Sequence, residues 1–82
     1  MTRLLLLGPA REAAGVRHDE FDGSTVGEVL QQAVVRYGDD FARILSVSQV
    51  WVNGESATQA DSVRPYDEIE VLPPVSGGCG SR

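Results

Sequence analysis

The stretch from Thr25 to Tyr37 constrains the fold most, because it is the clearest helix in a chain whose other segments are short and alternate with a period of two. Val26, Val29, Leu30, Ala33, Val34 and Tyr37 recur on one face at helical spacing, while Glu28, Gln31, Gln32 and Arg36 lie elsewhere. Thr25 followed by Glu28 forms a capping box, so the helix is predicted over Thr25 to Tyr37. Gly38 is expected to supply a left-handed cap. One amphipathic face of this length has to be buried against another layer.

The flanking segments supply that layer. Thr2 to Leu7 reads as a strand, and its unbroken apolar run from Leu4 to Leu7 suits a central strand or one whose outer face a partner covers. Gly8-Pro9 breaks it, and Pro9 to Ala14 can form a short helix with Gly15 past its end. Arg17 to Phe21 is a brief polar strand, closed by the turn at Asp22-Gly23. After the long helix, Asp39-Asp40 is expected to cap a further turn through Phe41 to Leu45. Val50 to Ala57 holds a hairpin signal at Asn53-Gly54, because a type I′ turn demands positive φ. Gln59 to Tyr66 is a polar connection anchored by Val63, Pro65 to Asp67 a turn, and Glu68 to Leu72 the last strand. This order describes an α+β domain with one long helix packed across one face of a mixed sheet, the β-grasp or ubiquitin-like fold.

Eighty-two residues make one small domain, read as 1–74 with a tail at 75–82. At 41% hydrophobic and 23% charged, the composition is that of a folded protein. No apolar run approaches a membrane span, and the leucine run is shorter than a signal-peptide core, so a cytoplasmic location is expected. A net charge of -5 argues against nucleic acid or an anionic membrane as partner. The single cysteine, Cys79, cannot form an internal disulfide or a multi-cysteine metal site, and it reads as incidental to chemistry. His18 stands beside Asp19, Glu20 and Asp22, which could suggest a metal ligand or base; a solvated surface histidine is the simpler reading, and no metal ligands are assigned. All seven basic residues are arginines, so no lysine is available for linking one copy of the chain to another.

The last segment changes character twice. Ile69 and Val71 alternate with Glu68 and Glu70, and Pro73-Pro74 then ends the ladder because neither proline can donate. Val75-Ser76-Gly77-Gly78 continues as a slim lead that can reach about 13 Å. Glycine imposes no Cβ, so Gly77 and Gly78 could place a backbone carbonyl in a narrow site on another protein; the alternative is an ordinary loose terminus.

The run from Glu68 to Gly78 resembles the end of the MoaD-type sulfur carriers, the small subunits of molybdopterin synthase within the ThiS/MoaD ubiquitin-like superfamily. Arg11-Glu12-Ala13-Ala14-Gly15 resembles the amino-terminal signature of the same carriers, and the likeness runs from Leu4 to Gly78. The resemblance implies that an E1-like adenylating enzyme uses ATP and magnesium to activate the Gly78 carboxylate, with no cofactor bound permanently by this chain. A sulfur donor would then form a thiocarboxylate, to be delivered to cyclic pyranopterin monophosphate on a MoaE-type large subunit in a heterotetramer. On this reading the chain is a sulfur-donating subunit and the acid–base residues belong to the large one. One departure stands out: Cys79-Gly80-Ser81-Arg82 follows the second glycine, so a processing peptidase would have to remove it.

Period-two alternation places Leu4, Leu6, Val50, Val52, Ile69 and Val71 toward the helix and Leu5, Leu7, Trp51 and Leu72 on the opposite face. These four, with Pro73, Pro74, Val75 and Ser76, are the expected partner contacts, and the resemblance implies docking at Leu7 and Leu72. The alternative is that the chain's own short helices cover them. Two functional alternatives stay open: a related carrier for thiamine, cysteine or secondary-metabolite sulfur, and a β-grasp binding module or protein modifier without sulfur chemistry.

Overall fold

The computed structural model describes residues 1–73. Five strands and three helices follow in the order β1 (Thr2–Leu6), α1 (Pro9–Ala14), β2 (His18–Phe21), α2 (Val26–Tyr37), α3 (Asp39–Ser46), β3 (Gln49–Val52), β4 (Glu55–Ser56) and β5 (Glu68–Leu72). The sheet runs β2-β1-β5-β3-β4, with β1 and β5 parallel and the other neighbours antiparallel. This is the mixed sheet of a β-grasp domain, with the last strand at its centre.

The long helix starts as its sequence dictates. Thr25 is the N-cap, and its hydroxyl accepts from the Glu28 amide at 3.2 Å, a cap worth about 1 kcal/mol. The Glu28 carboxylate reaches one residue beyond the expected box and accepts from the Ser24 amide at 2.7 Å. Val26, Val29, Leu30 and Ala33 are buried against Leu4, Leu6, Ile69 and Val71 of the sheet. Val63 closes one end of this core, as its apolar place in a polar loop predicts.

Two local expectations change. Gly38 has φ 101 and ψ -169, outside the left-handed helical region that the expected cap requires. That extended, positive-φ conformation is essentially reserved for glycine and turns the chain straight into α3. Asp39 and Asp40 therefore lie in the first turn of α3 and do not cap it, a placement the helix dipole favours. What was expected as a short turn is an eight-residue helix, because Phe41 is fully buried and Ile44 and Leu45 pack against the core.

Among the described residues, no helix is long and apolar enough to cross a membrane. His18 is exposed on the edge strand β2, and no group of three His, Cys, Asp or Glu that could hold a metal ion occurs among the described residues.

Candidate docking face and tail exit

β1, β5 and β3 form the middle of the sheet and present alternate residues to its two faces. Leu4, Leu6, Ile69 and Val71 point to the helices and are fully buried. Leu5, Leu7, Trp51 and Leu72 are half-buried, and none of them belongs to the core cluster or packs against it. The core buries Ala10 of α1 and Phe41 of α3 alongside α2, which puts all three helices on the inner face, so none of them covers these four side chains.

The register assembles the open face in rows. Leu5 pairs with Glu70, and Glu70 pairs with Trp51, so a carboxylate stands between the two apolar side chains. Leu72 pairs with Gln49, whose side-chain oxygen accepts from the Trp51 indole N–H at 3.2 Å. The Leu7 amide donates to the Val71 carbonyl at 3.1 Å, which carries the β1–β5 ladder one residue past the end of β1. Leu7 is thereby held beside Leu72, where the resemblance places a docking contact.

The chain leaves the sheet beside Leu7. Gly8 has φ 61 and ψ -134, and a Cβ built there would lie 3.4 Å from Cγ of Pro73. The ring of Pro73 therefore sits against the turn that joins β1 to α1. Position 8 reads in the sequence as a strand breaker alone; its contact with a residue at the far end of the chain has no local signature. Pro74, Val75, Ser76, Gly77, Gly78 and Cys79, and with them the tail expected at 75–82, lie outside the described residues.

Two further contacts steady the strand that leads to this exit. Asn53, at φ 52 in the hairpin turn, donates to the Asp67 carboxylate at 2.9 Å and accepts from the Glu68 amide at 3.0 Å. The Asp67 carboxyl lies below its usual range, chiefly because it accepts the Arg64 amide and then the Asn53 side chain. The start of β5 is thus tied to the β3–β4 hairpin before the strand enters the sheet.

The ThiS family pattern matches residues 4–78. The chain belongs to the ThiS family. The match ends at Gly78, the second glycine of the tail, and stops short of Cys79. This ThiS-family chain is 30% identical to SAMP1, a small archaeal modifier protein from Haloferax volcanii, over 94% of this chain and 98% of that one, with a TM-score of 0.76. The putative molybdopterin converting factor subunit 1 from Pyrococcus furiosus shares the fold at a TM-score of 0.79 and 20% identity, over 90% of this chain and 97% of its own. A chain of the BexX/CysO complex from Amycolatopsis orientalis does so at a TM-score of 0.79 and 24% identity, over 95% of this chain and 100% of that one. No curated protein matches. Family and fold together make this a ubiquitin-like domain of the ThiS family.

Proposed function

We propose that this ThiS-family chain carries sulfur as a thiocarboxylate on Gly78 and delivers it in molybdopterin synthesis, docking on a MoaE-type large subunit through the open face of its sheet. The observation that supports this most is the family match ending at Gly78, on a tail led out by the central strand. The run from Glu68 to Gly78, with its MoaD-like character, favours this pathway.

The chemistry follows from the weakness of a carboxylate as an electrophile. An E1-like enzyme would use ATP and magnesium to join the Gly78 carboxylate to AMP, with loss of pyrophosphate, which turns a poor leaving oxygen into a good one. A persulfide sulfur of the donor would attack the acyl carbon and expel AMP; a second thiol of the donor would then attack the S–S bond of the resulting acyl disulfide, releasing the thiocarboxylate and leaving the donor as a disulfide. Transfer of that sulfur to cyclic pyranopterin monophosphate returns the carboxylate. In this scheme Gly77 and Gly78 are the reacting end, and Leu5, Leu7, Trp51, Leu72 and Pro73 are contacts that seat the domain. A peptidase has to remove Cys79 to Arg82 first, since only a free Gly78 carboxylate can be adenylated.

A second reading is favoured by the 30% identity to SAMP1: the activated Gly78 could instead be joined to a lysine of another protein. With no lysine of its own, the chain would mark targets singly through its glycine and could not extend itself through lysine side chains.

The test is the intact mass of the chain from its native cells, with a fragment spectrum of the carboxyl end. A species ending at Gly78 with one oxygen exchanged for sulfur is expected, together with co-purification of a MoaE-type subunit. Gly78 in an isopeptide bond would select the modifier reading. A population ending solely at Arg82, even after exposure to the host's peptidases and adenylating enzyme, would sink both.

A further inference from the structure

Glu70 stands at the centre of the open face. Leu5 lies opposite it on β1 and Trp51 on β3, and Leu72 follows two residues along the same strand. Its side chain is half-buried and makes no hydrogen bond or ion pair among the described residues, where the ion pairs are Arg36–Asp19 and Arg43–Asp40. Arg3, the nearest cation by register on that face, stands opposite Glu68 in the ladder, one row away, and makes no ion pair among the described residues.

This position turns an apolar surface into a selective one. Any protein that covers both Leu5 and Trp51 also covers Glu70, because the carboxylate lies between them in the same row. A carboxylate taken out of water without a partner is strongly disfavoured, so a wholly apolar surface would be rejected. A surface that offers a cation at that spot would be accepted, and a guanidinium could bind both carboxylate oxygens at once. The net charge of -5 acts in the same direction at longer range, steering the chain toward basic patches.

We propose that Glu70 is a specificity residue of the open face, and that the adenylating enzyme presents an arginine or lysine side chain to it within an otherwise apolar contact. This rests on the carrier reading above, in which that enzyme must dock before Gly78 reacts. Glu70 touches no reacting atom in this arrangement; it decides which surface can seat the domain.

ATP–pyrophosphate exchange by the host's E1-like enzyme tests the idea, with the chain ending at Gly78 as substrate. That form keeps every core residue, since all of them precede Pro73. Glu70→Gln should raise KM about tenfold and Glu70→Arg about a hundredfold, with kcat nearly unchanged in the first case. Raising salt from roughly 0.05 to 0.5 M should weaken the wild-type interaction and narrow its advantage over Glu70→Gln. The melting temperatures of wild type and Glu70→Gln should agree, because the carboxylate makes no bond that the amide would lose. If wild type is adenylated and Glu70→Gln shows the same KM and salt response, the cation contact is overturned while the carrier reading stands. If wild type is not adenylated at all, the carrier reading fails and takes this inference with it.

Discussion

The two faces of the sheet are built from the same strands and do different things. On the inner face Leu4, Leu6, Ile69 and Val71 are 0% exposed, locked against α2 and α3. On the outer face, one residue away in each case, Leu5, Leu7 and Leu72 are half-buried with no helix over them, and Glu70 interrupts the apolar row. Burial of the inner residues is what folding gains, at about 1.5–3 kcal/mol for each large side chain. Leaving the outer ones partly exposed forgoes part of that gain and keeps a surface for association. Neighbouring residues on one strand can therefore be changed with opposite consequences.

The widest gap between the faces should appear on β5. Ile69→Ala removes a fully buried side chain and should cost about 2–5 kcal/mol. Such a loss lowers the melting temperature of a domain this size by on the order of 10–25 °C. Leu72→Ala, three residues on but facing outward, should cost less than about 1 kcal/mol and instead weaken capture by the adenylating enzyme or the large subunit. Thermal melts beside pull-down measurements check both. Equal destabilisation by the two substitutions would erase the distinction between the faces.

Much of the inner face was legible from spacing alone, and the reason is that a period of two or of 3.6 is a local property. The capping box at Thr25 and Glu28, the Asn53-Gly54 hairpin and the buried set on Leu4, Leu6, Ile69 and Val71 all follow from residues a few positions apart. The length of α3 was not legible, because a short helix is held by tertiary contact more than by propensity, here through Phe41. Gly38 shows the same limit: a glycine after a helix signals positive φ, but its ψ of -169 is set by the helix that follows. On the outer face the sequence marks Glu70 as wet, yet its place between Leu5 and Trp51 depends on β5 inserting between β1 and β3. The seat of Pro73 on Gly8 is equally non-local.

That seat offers a sharper version of the comparison, between the two ends of α1. Gly8 and Gly15 both have positive φ, at 61 and 79. A Cβ at Gly8 would be in ordinary contact with Pro73, so the penalty for Gly8→Ala is backbone strain of about 1–3 kcal/mol. Relief of the strain would shift the turn under Pro73 and with it the departure of the tail. Gly15→Ala should cost about 1–2 kcal/mol, with nothing near its Cβ and no effect on the exit. The Gly8 substitution should therefore slow adenylation per folded molecule, while the Gly15 substitution should not. Equal rates for the two would mean that the Gly8 contact does not direct the tail.

The smallest effect is expected at the rim of the helix-covered face, where β2 is tied to α2. Asp19 accepts from the Tyr37 hydroxyl at 2.6 Å and from Arg36 at 2.9 Å, and Tyr37 packs edge-on against both Phe21 and Phe41. The Asp19 carboxyl is held below its ordinary value of 3.8, first by the Tyr37 hydroxyl and then by the Glu20 amide and Arg36, against some desolvation. The folded state thus binds that proton more weakly than the unfolded chain does. Its contribution to stability is present above pH 3.8 and is lost as pH falls through the lower folded value. The Tyr37 hydroxyl moves the other way, upward from 10.0, through burial first and then its bond to Asp19. Its contribution is present below pH 10 and declines as pH rises beyond that. Urea midpoints measured from acid to neutral pH should therefore fall less steeply on the acid side in Asp19→Asn than in wild type, and the variant should be the less stable of the two at neutral pH. Parallel acid limbs would show that the Asp19 cluster fixes geometry at the rim without contributing to stability through its charge.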